Sequence, residues 1–242
     1  MNSILPSILI LFFLSKPIYA QTLKVQYILN TITSDGQEYM NYQSLLESEG
    51  ITLYKTDSTV KSAYTFNTNS KGKNKGMFID RTADKIYYYS PVFKKDLYVL
   101  EDGLTQTFNW QLIPEQTKEI LSYTCSKATL SFRGREYTAY YTPEIPFNAG
   151  PWKFAGLPGL ILEIGTNDGN FNYLAYKVSM KPPKSDIQNP YQLAEKEYVT
   201  FRKFKMELLT ALKNLEKKFE AEETDADVQT SLKDNSMELL VE

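Results

Sequence analysis

Apolar and polar residues alternate along most of the chain, from Leu23 to about Met180. In the segment LKVQYIL, for example, Leu23, Val25, Tyr27 and Leu29 fall on one face of an extended chain. Alternation with a period of two, in short segments rich in Tyr, Phe, Val, Ile and Thr and separated by turn residues, is typical of half-buried β-strands. The pattern predicts a mainly β (α+β) fold with a single antiparallel, curved and meandering sheet.

Two segments carry a helical pattern instead. Apolar residues recur at three- and four-residue steps from Phe201 to Phe219, and Thr200 stands where a helix N-cap is expected. We therefore predict a long C-terminal helix at about 200–220, packed on the sheet through this apolar stripe. A role at a membrane surface or against a partner helix fits less well, because the polar face mixes Glu with Lys. The segment MNYQSLLESEG at 40–50 predicts a second, short helix.

The stretch GPWKFAGLPGLILEI at 150–164 combines Gly and Pro with an aromatic pair and then an apolar run. Pro158 fixes its own φ and biases Leu157 toward an extended backbone, while the glycines on either side tolerate angles that other residues resist. This predicts a sharp corner that leads into an apolar strand at the centre of the sheet, followed by an Asp-Gly hairpin turn. Two interpretations stay open: a structural corner, or a recognition loop in which Trp152 and Phe154 line a binding site.

Two arginines precede this stretch and flank a glycine. Arg133-Gly134-Arg135 follows a predicted strand, and we expect a turn or bulge that projects both arginines to one side, beside Tyr137. A guanidinium presents a planar set of donors suited to carboxylate or phosphate, so the pair forms either a solvated edge or an anion clamp. The candidate binding residues of both segments are Arg133, Arg135, Tyr141, Trp152 and Phe154.

The amino-acid composition excludes most kinds of catalytic site. The 242 residues include no histidine and one cysteine, Cys125, which excludes Ser-His-Asp and Cys-His catalysis, His-containing zinc sites and an intramolecular disulfide. Lone-thiol chemistry remains, with Lys127 two residues along the same strand face to favour a thiolate. An isolated cysteine in a strand is more often a small core residue. We predict no enzymatic activity, no catalytic residue, no metal site and no cofactor.

The N-terminus predicts export. An apolar run from Ile4 to Leu14 is followed by Ala20 at a small-residue cleavage position, which is the pattern of a secretory signal at 1–20. The run holds 11 residues, against roughly 20 for a spanning helix, and no later segment is apolar enough to cross a bilayer. The mature chain at 21–242 is then a single β-rich domain, periplasmic or secreted. The net charge of the 242 residues, −2, argues against nucleic acid as a partner.

The block from Cys125 to Ile164 resembles the hallmark region of the GLPGLI family, exported proteins of Bacteroidota that are named after this motif. The shared positions are Cys125, Lys127-Ala128, Gly134-Arg135, Tyr141-Thr142, Ile145-Pro146, Gly150-Pro151, and the motif residues Gly156, Leu157, Pro158, Gly159, Leu160 and Ile161. The family has no established biochemical activity. Its members are often encoded near outer-membrane transport proteins, so the resemblance implies a role in the cell envelope.

These observations favour a non-enzymatic binding or accessory protein of the envelope or periplasm. We expect a β-walled groove that holds an apolar or peptide-like ligand, or contacts an outer-membrane transport protein, because aromatic residues make up 14% of the chain. A meander with a helix over one face would resemble the half-barrels of periplasmic lipoprotein carriers, although fold alone does not give function. Two alternatives remain: a structural subunit of an outer-membrane assembly, and a thiol-dependent enzyme that uses Cys125.

Overall fold

Twelve strands form one open sheet in the part of the chain that the computed structural model describes. The described residues are 22–33, 35–57, 73–92, 95–104, 108–181, 187–194 and 197–221. The strands are β1 (Thr22–Ile32), β2 (Glu38–Ser48), β3 (Ile51–Thr56), β4 (Met77–Asp80), β5 (Lys85–Val92), β6 (Lys95–Asp102), β7 (Gln111–Ile120), β8 (Tyr123–Phe132), β9 (Arg135–Thr142), β10 (Leu160–Thr166), β11 (Phe171–Lys181) and β12 (Val199–Thr200). A helix, α1 (Phe201–Ala221), follows β12. The predicted signal peptide at 1–20 lies outside the described residues.

The sheet consists of two antiparallel meanders that meet at its centre. Strands β1 to β6 pair in succession, β7 to β11 do the same, and β1 pairs with β11, which gives the order β12-β6-β5-β4-β3-β2-β1-β11-β10-β9-β8-β7. The prediction of a mainly β, meandering sheet is confirmed. The sheet is mostly antiparallel, as expected, and β12 adds one parallel pairing at its edge, with Val199 opposite Val99 and Thr200 opposite Leu100 of β6. This pairing lasts only two residues, because α1 begins directly after Thr200.

The helix packs on one face of the sheet, which we call the helix face. Directly opposite residues on neighbouring strands share a face, and one such row is Val25, Leu45, Tyr54, Met77 and Tyr88. Phe204 of α1 packs edge-on against Tyr88, with ring centroids 6.3 Å apart. The Thr200 hydroxyl caps the helix by accepting a 3.3 Å hydrogen bond from the Lys203 N–H. The predicted helix, its N-cap and its position on the sheet are confirmed.

Residues 40–50 form a strand and a turn, not the short helix that the sequence suggested. β2 pairs with β1 on one side and with β3 on the other, and Leu45 is fully buried. Backbone pairing on both sides outweighs the helical preference of the Leu and Glu residues in this segment. Glu49 and Gly50, with φ of 54° and 83°, form the two-residue turn into β3.

The segment 143–159 connects β9 to β10 through the predicted corner. Gly159 has a φ of 142°, and a Cβ at this position would lie 2.1 Å from the Thr142 carbonyl oxygen, so no other residue fits. The predicted strand at the centre of the sheet is β10, which is an interior strand between β9 and β11 but stands fourth from the β7 edge. A register shift between Ile161 and Glu163 interrupts the regular alternation expected along β10. The Asp-Gly turn at 167–170 joins β10 to β11 as predicted.

Candidate functional site

Two neighbouring rows of side chains cross five strands on the outer face, the face opposite the helix. The first row is Tyr140, Glu163, Leu174, Ile28 and Tyr42, and the second is Thr138, Gly165, Asn172, Asn30 and Met40. Ile28 and Asn30 alternate along β1 with Val25, Tyr27 and Leu29, which places the rows on the outer face. Neighbouring strands lie about 4.8 Å apart, so each row is roughly 19 Å long.

The second row and the ends of the first row form the floor of a groove of about 890 Å³. All residues of the second row line it, together with Tyr140, Glu163 and Tyr42 of the first row. The sides come from the adjoining ends of β1 and β2 and from the β10–β11 turn, through Ile32, Glu38, Asn167 and Gly169. Gly165 keeps the centre deep, because a Cβ there would lie 3.0 Å from the Phe171 carbonyl oxygen and 3.1 Å from the Asn172 Oδ1.

The lining of the groove combines aromatic rings, amides and carboxylates. Its described residues include Asn30, Asn167 and Asn172, the carboxylates of Glu38 and Glu163, and no Lys or Arg. Amides both donate and accept hydrogen bonds, whereas ionised carboxylates only accept them. The tyrosine rings and Met40, which is 46% exposed, offer apolar contact. A few convergent polar groups among apolar surfaces are typical of ligand sites.

A lysine from the edge strand β7 reaches the β9 end of the groove. Lys118 forms an ion pair with Glu163, and its Nζ lies 4.1 Å from the centroid of the Tyr140 ring. The side chain of Lys118 is 38% exposed and that of Glu163 is 19% exposed. Glu163 and Tyr140 are direct neighbours, since β9 and β10 place them opposite each other. A carboxylate and a ring face therefore hold an ammonium group together at this position.

The two arginines predicted as an anion clamp pair with different carboxylates. Arg133 and Gly134, with φ of 46° and 76°, form the two-residue turn between β8 and β9, so Arg135 already belongs to β9. Arg133 forms an ion pair with Glu101, whereas Arg135 forms one with Asp168. The two guanidinium groups do not form one clamp, because each has its own counter-ion in the chain.

The aromatic candidates lie in the interior on the helix face, away from the groove. Phe154 is fully buried, and its ring centroid lies 5.0 Å from that of Tyr137 and 5.2 Å from that of Trp152. Tyr141 is only 5% exposed. Trp152 is partly buried and has a φ of 54°, a rare value for a bulky residue. The structure therefore does not bring the five sequence-predicted binding residues together on one surface.

Arg133 and Trp152 both contact a buried group of charged side chains around Glu101. Glu101 Oε2 accepts a 2.8 Å hydrogen bond from Lys153 Nζ, and the two side chains are only 2% and 3% exposed. Arg133 pairs with the other carboxylate oxygen, Oε1. The Lys153 Nζ lies 4.7 Å from the Trp152 ring centroid, and the Arg133 guanidinium lies 3.9 Å from that of Phe201. This group joins β6, the β8–β9 turn, the 143–159 segment and the start of α1.

Cys125 is fully buried, and its thiol donates to the Tyr123 carbonyl oxygen at 3.5 Å. Burial raises the pKa of the thiol to about 11, so the thiol is protonated at neutral pH. Lys118, rather than the predicted Lys127, is the cation that acts to lower this pKa, and its effect is smaller than that of burial. Among the described residues, no three or more Cys, Asp or Glu side chains converge on a possible metal position. Within the same ranges, no helix has the length and apolar character needed to cross a membrane.

None of the groove residues is among the sequence-predicted binding candidates, because the groove depends on strand register. Tyr140 meets Glu163, and Asn30 meets Asn172, only through the pairing of β9 with β10 and of β1 with β11. One signal was present in the sequence. Glu163 is a carboxylate in the otherwise apolar segment LILEI, and an interior strand holds a charge only where a polar partner or solvent is available.

The central block is similar to a family of unknown function. A family model described as "Protein of unknown function (Porph_ging)" matches residues 132–163. Those residues fall within the block that resembles GLPGLI proteins. A comparison with curated protein sequences gives no match.

The fold is similar to part of PNGF-II. The structure of PNGF-II in space group C2 aligns with a TM-score of 0.57 at 17% identity, covering 79% of this chain and 33% of that one. The P21 form aligns with a TM-score of 0.56 at 16% identity, covering 79% and 34%. At such identities the similarity shows the fold alone, and this chain spans about a third of the length of PNGF-II. The LolA superfamily protein NE2245 from Nitrosomonas europaea aligns with a TM-score of 0.28 at 10% identity, covering 74% of this chain and 90% of that one.

Proposed function

We propose that this protein is a non-enzymatic binding protein of the cell envelope, and that its ligand lies in the outer-face groove. The observation that carries the proposal is the register of five strands, which sets aromatic, amide and carboxylate side chains side by side along one groove. Asn30 and Met40 are exposed within it. The helix face, in contrast, is filled by α1 and by buried residues of the 143–159 segment.

The dimensions and chemistry of the groove favour an extended, peptide-like ligand. A row of roughly 19 Å accommodates about six residues of an extended chain at about 3.3 Å each. Such a chain presents one donor and one acceptor per residue, which matches the amides of Asn30 and Asn172. Met40 and Tyr42 lie at one end of the rows, where they would contact apolar side chains of the ligand.

The cellular context is part of the same proposal. The family match at 132–163 overlaps the GLPGLI-like block, which supports membership of that family. The N-terminal pattern at 1–20 supports export to the periplasm or the medium, where an outer-membrane transport protein is the expected partner. The lack of histidine and the protonated Cys125 thiol support a role without catalysis.

The test is to block the groove and measure ligand retention. Asn172→Trp places a large ring on the groove floor. Ser179→Trp is the matched control, because Ser179 lies on the same strand and face, opposite Lys24, but outside the groove lining. Each protein is expressed in the envelope of its host, purified natively and extracted, and the released peptides and small molecules are identified by mass spectrometry.

We expect the unmodified protein and Ser179→Trp to release the same ligand, and Asn172→Trp to release at least tenfold less. Thermal melts of all three confirm that the variants are folded. Equal retention by Asn172→Trp would place the ligand elsewhere. An unmodified protein that releases no ligand and instead co-purifies with one protein in equal amount would favour the structural-subunit alternative.

A further inference from the structure

We infer that the groove contains a subsite for a primary ammonium group, and that Lys118 occupies this subsite from within the chain; the inference rests on the groove being the ligand site. Glu163 and Tyr140 both line the groove and are direct cross-strand neighbours. Together they bind the Lys118 ammonium through a carboxylate and a ring face, with Nζ 4.1 Å from the ring centroid. The lysine side chain thus shows the geometry with which a ligand ammonium would be held.

The charge of the groove favours a cationic ligand group. Glu38 and Glu163 contribute carboxylates, and the described lining residues include no Lys or Arg. A desolvated cation is attracted both by a carboxylate and by the negative face of an aromatic ring. A lysine side chain of a peptide and a free alkylamine share the primary ammonium that this pair recognises.

Lys118 can leave the subsite at little cost in stability. It belongs to β7, the edge strand of the sheet, and its side chain is 38% exposed. A register shift between Ile113 and Thr117 lies just before it on the same strand. Partly exposed ion pairs contribute little to stability, so solvation of Lys118 outside the subsite costs little. Lys118 therefore competes with a ligand ammonium at the high local concentration of a tethered group.

The experiment removes the competitor and measures binding of defined probes. Lys118→Met keeps the length and apolar stem of the side chain but removes its charge. The peptide-type probe is Nα-acetyl-lysine methylamide, the free-amine probe is n-butylamine, and the uncharged control probe is Nα-acetyl-norleucine methylamide. NMR titration gives each dissociation constant, and an upfield shift of the probe methylene protons next to nitrogen reports a position over the Tyr140 ring.

Lys127→Met is the matched control for a general change in charge. Lys127 lies opposite Tyr140 on the same face, but its Nζ donates to Gln116 Oε1 at 3.0 Å rather than to Glu163. If Lys118 fills the subsite in about nine of ten molecules, its removal tightens binding of an ammonium probe about tenfold. We expect that gain with Lys118→Met and not with Lys127→Met, and we expect Glu163→Gln in the Lys118→Met background to abolish it.

The probes separate the sources of the ammonium group. A gain for the peptide-type probe alone supports a lysine-containing peptide as ligand, and a gain for both amines supports recognition of any alkylammonium. The inference is overturned if Lys118→Met binds no tighter than the unmodified protein, if norleucine gains equally, or if Lys127→Met reproduces the gain. If Lys118→Met does not bind the ammonium probes more tightly but Asn172→Trp still loses the native ligand, the subsite is refuted and the groove remains the binding site.

Discussion

The Tyr27 hydroxyl donates a 2.8 Å hydrogen bond to the backbone carbonyl oxygen of Ile161, which lies 134 positions further along the chain. The two residues belong to β1 and β10, strands that do not pair because β11 lies between them. Tyr27 is fully buried, and burial raises the pKa of its phenol well above its usual value. The bond therefore connects the end of the GLPGLI motif to the N-terminal meander through the core.

Replacement of Tyr27 by Phe removes the hydroxyl donor and leaves the buried Ile161 carbonyl oxygen without this hydrogen bond. We expect the free energy of unfolding to fall by about 1 to 3 kcal/mol, measured by urea denaturation at pH 7. Tyr39→Phe is the control, because the Tyr39 hydroxyl bonds the exposed Gln37 side chain and its loss should cost less than about 0.5 kcal/mol. Equal costs for the two variants would mean that the bond to Ile161 contributes nothing.

The raised pKa of Tyr27 also predicts how stability changes in alkali. The unfolded phenol ionises near pH 10, whereas the folded one stays protonated, so the unfolded state loses protons first. The contribution of Tyr27 is therefore fully present below about pH 10 and is lost as the pH rises above it. Urea denaturation from pH 8 to pH 11 should show a smaller fall in stability for Tyr27→Phe than for the unmodified protein. The opposite order would contradict a buried, neutral phenol.

Gly159 is the position in the GLPGLI motif where the backbone most strictly requires glycine. An alanine there combines an unfavourable φ of 142° with a Cβ 2.1 Å from the Thr142 carbonyl oxygen, so the corner between β9 and β10 has to move. We expect Gly159→Ala to lower the free energy of unfolding by more than about 3 kcal/mol. Gly169→Ala is matched in having a positive φ, 77°, but its Cβ would meet no atom within 4 Å. It should cost only about 1 to 2 kcal/mol in the same urea melts, and similar values for both variants would count against the close approach.

The ion group around Glu101 predicts a strongly non-additive pair of substitutions. Glu101→Leu leaves Lys153 buried without the carboxylate that accepts its 2.8 Å hydrogen bond, and should lower the free energy of unfolding by about 3 to 5 kcal/mol. Replacing Lys153 by Met as well removes the fully buried uncompensated charge and leaves only Arg133, whose side chain is 22% exposed, without the Glu101 carboxylate. We expect the double variant to be more stable than Glu101→Leu alone, with the coupling measured by a double-mutant cycle in urea. A double variant that is less stable than either single variant would show that packing, not charge, governs this position.

Local signals along the sequence were sufficient for the elements that depend on local physics. The alternation around Val25 and Tyr27 predicts a strand because period two is set by the extended backbone. Thr200 and the stripe after it predict α1 because a cap and a 3.6-residue period act within one segment. The corner at Gly159 is predicted because Pro158 restricts the backbone and the glycines near it tolerate unusual angles.

The groove could not be predicted, because it depends on which strands pair and in what register. β1 at Thr22–Ile32 pairs with β11 at Phe171–Lys181, and no local pattern specifies that partner. The same limit explains β2, where pairing on both sides overrode the helical interpretation of 40–50. Arg133 and Arg135 lie two positions apart in sequence but pair with different carboxylates, Glu101 and Asp168. The turn at Arg133-Gly134 directs the two side chains to different places.

Burial of Cys125 predicts a thiol that is slow to react. With a folded pKa of about 11, about 0.1% of the thiol is ionised at pH 8, against about a quarter in the unfolded chain with its usual pKa near 8.5. Alkylation by iodoacetamide at pH 8 should therefore be at least 100-fold slower in the native protein than in 8 M urea, on the order set by these fractions.

Because the folded pKa of the Cys125 thiol is the higher one, the stability contributed by the neutral thiol is present below about pH 8.5 and is lost as the pH rises toward 11. Cys125→Ala should lose less stability than the unmodified protein between pH 7 and pH 10 and should retain the groove ligand. A native thiol that reacts nearly as fast as the unfolded one, together with loss of function in Cys125→Ala, would instead favour the thiol-dependent enzyme.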